Sequence, residues 1–152
     1  MGELRDIRNL SIEELNSWFL EVKQPSFRSK QIWQWLWQKG AHHFDDMTNL
    51  SLSTRQMLEA NFVINHIKVD TMQRSSDGTV KNAVKLHDGL IVESVLIPTK
   101  SRTTACVSSQ VGCSLTCKFC ATGKLKLMRN IQFDEIYDQV VLIKNQAMEK
   151  YN

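Results

Sequence analysis

All four cysteines of the 152-residue chain, Cys106, Cys113, Cys117 and Cys120, fall within fifteen consecutive positions. A disulfide framework must tie together segments that are distant in sequence, and nothing outside this stretch offers a partner. The fold must therefore be held by a hydrophobic core, which leaves the cysteines for metal or redox chemistry. The composition allows such a core. Hydrophobic types make up 42% and charged types 23%, a globular balance that argues against a disordered chain. Six Gly and two Pro exclude collagen-like and low-complexity readings. The length suits one average domain, or a small domain plus part of another. No apolar run approaches the roughly 20 residues of a membrane span. The polar start Met1-Gly2-Glu3-Leu4-Arg5-Asp6 is not a secretory signal, and Asp6 breaks the myristoylation pattern that Gly2 would begin. The expectation is a soluble, cytoplasmic protein with no membrane partner.

The first sixty-odd residues carry helical periodicity. Ser11-Ile12-Glu13-Glu14 is a capping box, and Leu15, Trp18, Phe19 and Val22 follow at helical spacing up to Pro25. A second helix is predicted from Phe27 to Lys39, with Gly40 as its C-terminal cap. A loop with a short turn spans 40–50, and a third helix starts near Ser51 or Ser53. Trp33, Trp35 and Trp37 admit two readings: a platform for stacked bases, or the large side chains that fill a small domain's core. The core reading is adopted for Trp33. Of Trp35 and Trp37, at least one is expected to be partly exposed.

Near Ile67 the hydrophobic period changes from 3.6 to 2. Strands are predicted over 67–74 and 79–86 around Ser75-Ser76-Asp77-Gly78, then over 90–97 after His87-Asp88-Gly89, ending at Pro98. A further strand over 103–108 leads into the cysteine loop. Phe133 to Lys150 then reads as an amphipathic helix with Ile136, Val140, Ile143 and Ala147 on one face. Strand, loop and helix make a single βα unit, which cannot bury its own strand. The chain is thus expected to be the front part of a longer protein. The fold class is α+β, divided into a helical unit at 1–65, β-hairpin and linker strands at 66–98, and a βα segment at 99–152.

Net charge is +3, unevenly spread. Between Ser94 and Phe133 there is no Asp or Glu, while Lys100, Arg102, Lys118, Lys124, Lys126 and Arg129 add six positive charges. A local basic patch suits a polyanion such as RNA or a small anionic ligand, and a solvated loop equally.

Cys113-Ser114-Leu115-Thr116-Cys117-Lys118-Phe119-Cys120 is a CxxxCxxC pattern, close enough for three thiolates to meet at one inorganic centre. A structural zinc normally takes four protein ligands. Cys106, His66 or His87 would have to supply the fourth, and none has the usual paired spacing. A cubane iron–sulfur cluster held by three cysteines leaves one iron open for a substrate.

This motif, with an aromatic residue just before its last cysteine, resembles that of the radical S-adenosylmethionine enzymes. The wider run from Cys106-Val107-Ser108-Ser109-Gln110-Val111-Gly112-Cys113 through Cys120-Ala121-Thr122-Gly123 resembles the adenine carbon-2 methyltransferases of 23S ribosomal RNA and transfer RNA, the RlmN/Cfr group. Phe27-Arg28-Ser29-Lys30-Gln31-Ile32 and Gly89-Leu90-Ile91-Val92-Glu93-Ser94-Val95-Leu96-Ile97-Pro98 fit that group as well. Lys126-Leu127-Met128 departs from it, standing where the group usually has Gly-Phe before Arg-Asn. The resemblance covers essentially the whole chain, yet less than half of a complete member.

Several expectations come with the resemblance. Cys113, Cys117 and Cys120 would hold a [4Fe-4S] cluster whose open iron binds S-adenosyl-L-methionine, with Phe119 near that cofactor. Residues 99–152 would begin an incomplete (β/α) radical-SAM barrel, and residues 1–65 would be an RNA-binding accessory domain. Glu93 would be the proton acceptor, where partial burial would raise its pKa toward catalytic range; read without the resemblance, a carboxylate in this apolar strand fits a solvated edge position better. Cys106 would be the resolving cysteine that forms a transient disulfide with a methyl-carrying cysteine beyond Asn152. As a strand residue, Cys106 also admits a packing role. Expected partners are 23S rRNA, transfer RNA, and an electron donor such as flavodoxin or ferredoxin, with the enzyme a monomer. Two alternatives stay open: carbon-8 methylation of adenine by the same superfamily, and a non-catalytic, zinc-stabilised RNA-binding module.

Overall fold

The computed structural model describes residues 4–115 and 117–151; Met1 to Glu3, Thr116 of the cysteine motif and Asn152 lie outside the described residues. The chain divides into two compact units, Met1–Asn65 and His66–Asn152. Among the described residues, no helix is long and apolar enough to cross a membrane.

The first unit runs β1 (Arg5–Asp6), α1 (Ile12–Glu21), α2 (Phe27–Trp37), α3 (Leu52–Asn61) and β2 (Phe62–Val63). Ser11 starts α1 through a reciprocal capping box: its hydroxyl accepts from the Glu14 amide at 3.1 Å, and its own amide donates to the Glu14 carboxylate at 2.7 Å. Past α2 the chain takes a left-handed turn at Gly40 (φ 66°), and the Ala41 amide returns to the Trp35 carbonyl. Ser51 caps α3. The core gathers Ile7, Leu15, Phe19, Ile32, Leu36, Met47 and Leu58. One feature was absent from the sequence expectations. β1 lies parallel to β2, and buried Asp6 accepts the amides of Arg8 and Asn65 while the Arg8 guanidinium donates to the Asn65 carbonyl. The two ends of the unit are stitched together by this buried charge pair.

Trp33 departs from the core expectation. The buried line of α2 is Ser29, Ile32 and Leu36, and Trp33 is turned about 100° past Ile32. It is half-buried and lies against Trp37, with ring centroids 5.8 Å apart. Trp35 and Trp37 pack on the core instead. The Trp35 indole donates to the Asn49 side chain at 2.6 Å, and the Lys39 ammonium sits 3.8 Å above its ring.

In the second unit, β3 (Lys68–Arg74), β4 (Val80–Lys85), β5 (Ile91–Pro98) and β6 (Thr103–Cys106) form one antiparallel sheet in chain order. The sheet runs unbroken across residue 98, because β6 pairs with β5 rather than opening a separate segment. This differs from the expected division at 98/99. A short pair, β7 (Gln110–Val111) with β8 (Arg129–Asn130), precedes α4 (Phe133–Tyr151). Strand alternation points Val80, Asn82, Val84, Val92, Ser94 and Leu96 inward, and α4 covers that face through Ile143, Ala147 and an Asn82–Gln146 amide pair.

Of the expected inward residues of α4, Ile136, Ile143 and Ala147 pack on the core, but Val140 is exposed, and Glu135 and Gln139 are buried on that side as well. The two polar residues take the inward line because partners there meet their hydrogen-bonding groups, which removes the usual cost of burying them.

Candidate functional site

The cysteine loop spans β6 to α4 and is closed at its base by β7 and β8. Above that pair, Cys113 bridges Lys126, the Met128 amide donates to the Val111 carbonyl at 2.9 Å, and the Cys113 amide donates to the Leu125 carbonyl at 3.3 Å. This close approach requires Gly112. Its φ is 77°, and a Cβ there would lie 2.0 Å from the Lys126 carbonyl oxygen. Gly123 is similarly confined, since a Cβ would stand 2.8 Å from the Cys117 carbonyl oxygen.

Backbone amides are directed at the sulfurs. The Leu115 amide donates to Cys113 Sγ at 3.3 Å. The amides of Gly123 and Thr122, with help from the Thr122 hydroxyl, hold the Cys120 thiol below its ordinary pKa despite a small opposing effect of desolvation. All four cysteines are free thiols. Among the described residues, no three His, Cys, Asp or Glu side chains are gathered into a metal-binding group. The loop therefore carries the three candidate ligands without assembling them into a cage. His66 and His87, the expected alternatives for a fourth zinc ligand, stand 3.6 Å from Asp138 and 3.0 Å from Glu135, both on α4.

Phe119 is 94% exposed. Leu115, Leu125 and Met128 are exposed as well, interleaved with exposed Lys118, Lys124 and Lys126. Arg129 does not join this basic surface. Its guanidinium grips Glu135 with two bonds, at 2.8 and 2.9 Å, and Asp88 at 2.6 Å, pinning the end of the loop to α4 and to the β4–β5 turn. Burial alone would raise Glu135, but Arg129, the Gln132 amide and His87 outweigh it and lower its pKa; Arg129 lowers Asp88 too.

Glu93 and Cys106 project from the sheet face opposite α4. Cys106 pairs with Val95, two residues along β5 from Glu93, so the two side chains are diagonal neighbours roughly 7 Å apart. Glu93 is exposed, which settles its two sequence readings in favour of the solvent face: Lys81 and Cys106 are exposed on the same face of the sheet, and Lys81 Nζ contacts the Glu93 carboxylate at 3.1 Å. Cys106 is exposed too, so packing does not account for it. Lys81, absent from the sequence candidates, was detectable there as the residue that β4 alternation places on the Glu93 face. Buried Gln139 on α4 gave no such signal, because a glutamine on a helix reads as solvated.

The family described as the ribosomal RNA large subunit methyltransferase N-terminal domain matches residues 5–64. The chain is 67% identical over 150 residues to a probable dual-specificity RNA methyltransferase RlmN of Flavobacterium psychrophilum, covering 99% of this chain and 43% of that protein. The chain belongs to the RlmN family. A Christiangramia forsetii relative of the same description is 70% identical over 143 residues, 94% of this chain and 41% of its own length. A radical SAM methyltransferase from Sphaerobacter thermophilus matches 97% of this chain and 44% of that one, with a TM-score of 0.81 at 33% identity. The mixed α/β architecture thus matches part of a radical SAM methyltransferase, and the chain spans about two-fifths of its relatives' length.

Proposed function

We propose that this chain is the cluster-bearing N-terminal part of a radical S-adenosylmethionine enzyme that methylates carbon 2 of an adenine in 23S rRNA and in transfer RNA. The observation that carries the reading is that exposed Glu93 on β5 and exposed Cys106 on β6 share one sheet face, and the three-cysteine loop follows β6 directly. The donor set fits a [4Fe-4S] cluster, since the ligands are three soft sulfurs on one short loop, with amides aimed at Cys113 and Cys120 and glycines that leave room for close backbone packing. Cys113, Cys117 and Cys120 would hold it. Bound there, such a cluster would supply the single electron, drawn from a donor such as flavodoxin or ferredoxin, for reductive cleavage of S-adenosyl-L-methionine to a 5′-deoxyadenosyl radical, and Phe119 would flank that cofactor. On this reading β6, the cysteine loop and α4 make the first βα unit of an incomplete (β/α) barrel, with the exposed face that carries Glu93 and Cys106 turned to its interior.

On that face Glu93 accepts the proton that leaves carbon 2. Cys106 attacks the sulfur of the cysteine that delivered the one-carbon unit. A disulfide forms, the carbon–sulfur bond breaks, and the methylated base departs with the electron pair and takes up a proton. Residues 1–65 grip the RNA, with half-buried Trp33 and exposed Lys30, three residues before it on α2, offering stacking and charge. The enzyme acts as a monomer in the cytoplasm.

Oxygen-free reconstitution with iron and sulfide tests the reading. The expected result is broad absorption near the blue end of the visible, kept in Cys106→Ala and lost in Cys117→Ala. Zinc bound without sulfide would instead support the non-catalytic RNA-binding module. Methylation at carbon 8, read by mass spectrometry of the RNA, would overturn the regiochemistry alone.

A further inference from the structure

Gln139 is fully buried in the middle of α4, between Glu135 and Ile143 on its inward line. Burying an amide side chain is unfavourable unless its groups are bonded, and here two of its three bonds go to one residue, Ser108. The Gln139 Oε1 accepts the Ser108 amide at 2.9 Å, and its Nε2 donates to the Ser108 carbonyl at 3.1 Å and to the Glu135 carbonyl at 3.3 Å. A single side chain thus offers Ser108 the donor and acceptor that a neighbouring strand would offer.

Ser108 stands where this matters. The β5–β6 ladder ends at the Val95–Cys106 pair. Had β6 continued in register, Ser108 would lie opposite Glu93. The chain instead leaves the sheet toward the cysteine loop, and the Ser108 hydroxyl takes over the missing backbone contact by donating to the Glu93 carbonyl at 2.7 Å. Two residues upstream is Cys106, and Ser109 is held in turn by the Ile131 amide. Ser108 is therefore the junction between Glu93, Cys106 and the first residues of the loop, and Gln139 fixes it from the opposite side of the sheet.

We infer that Gln139 is a positioning residue. Through Ser108 it sets where Cys106 and Glu93 stand relative to the cluster loop, and so couples radical formation to release of the methylated base. The inference rests on the function proposed above. A displacement of about 1 Å between reacting groups costs on the order of a hundredfold in rate, and this junction controls such a displacement without touching the cluster ligands.

The test uses a full-length family enzyme carrying this sequence, reconstituted without oxygen, with Gln139→Met, Gln139→Glu and Ser108→Ala. Methionine keeps the volume and the helix but loses the bonds to Ser108. The measurements are iron content, 5′-deoxyadenosine formed, methylated adenine formed, and RNA joined to protein on a denaturing gel. In Gln139→Met, iron and 5′-deoxyadenosine should stay within about twofold while methylated RNA falls about a hundredfold, with adduct accumulating. Gln139→Glu should be similarly uncoupled at neutral pH and should regain coupling as pH falls, since a protonated carboxyl again donates to the Ser108 carbonyl. Wild-type coupling should not improve on the same acidification. Ser108→Ala keeps the amide bonds and guards against misfolding of the Gln139 variants; it should be uncoupled to a smaller degree. Parallel loss of 5′-deoxyadenosine and product, or wild-type coupling in Ser108→Ala and Gln139→Glu, would overturn the inference. If the unaltered enzyme forms no cluster or no methylated RNA, the proposed function fails instead, and the two failures are distinct.

Discussion

Gly112→Ala and Gly89→Ala make a matched pair, because both glycines have left-handed backbones, at φ 77° and 85°. Placing alanine there costs about 1 kcal/mol from conformation alone. At Gly89 that is the whole cost, since the nearest atom a Cβ would meet is the mobile end of Lys85 at 4.0 Å. At Gly112 the same Cβ would lie 2.0 Å from the Lys126 carbonyl oxygen and 2.8 Å from its carbon, both backbone atoms. Lys126 must retreat by more than an ångström, which breaks its bridge with Cys113 and the backbone bonds from Cys113 to Leu125 and from Met128 to Val111. Two backbone hydrogen bonds at about 1 kcal/mol each bring the expected loss to about 3 kcal/mol. Urea unfolding followed by circular dichroism gives the two stabilities, and iron bound after oxygen-free reconstitution gives the state of the loop. Gly112→Ala should lose the larger share of both, while Gly89→Ala keeps wild-type iron. Equal destabilisation with equal iron would refute the claim that the close approach at Gly112 shapes the site.

Asp6→Ala removes the buried acceptor of the Arg8 and Asn65 amides and the carboxylate beside the buried Arg8 guanidinium, so the first unit should lose about 3–5 kcal/mol. All four tryptophans lie in residues 1–65, so their fluorescence during urea unfolding reports that unit selectively, and a loss under 1 kcal/mol would contradict the buried-pair account. Arg129→Gln tests the loop anchor by pH. Glu135 and Asp88 are lowered in the folded chain, so their contribution is complete above about pH 5 and is lost as pH falls through their folded values. The stability gap between wild type and Arg129→Gln should therefore be widest at neutral pH and narrow on acidification; a gap constant from pH 7 to about pH 3 would refute it.

Local signals sufficed for much of this molecule. The Ser11 capping box, the turns at Gly40, Gly78 and Gly89, the alternation of β4 and β5 and the clustered cysteines all depend on residues a few positions apart, so the chain carries them wherever it lies. Burial is different, because it depends on what arrives from elsewhere in the sequence. Hydrophobic periodicity assigned Val140 to the inward face of α4, yet the fold gives that face to Glu135 and Gln139. Arg129 and Ser108, from either end of the cysteine loop, satisfy their polar groups better than the sheet could pack a valine. Trp33 lost its place in the core to Ile32 and Leu36, because what packs on α2 from the rest of the unit covers the Ser29–Ile32–Leu36 line and not the flank beside it. Glu93 and Cys106 were legible as candidates, but their meeting on one open sheet face, with Lys81 beside them, follows from the β4–β5–β6 register. Register is set by pairing between strands, and no single segment contains it.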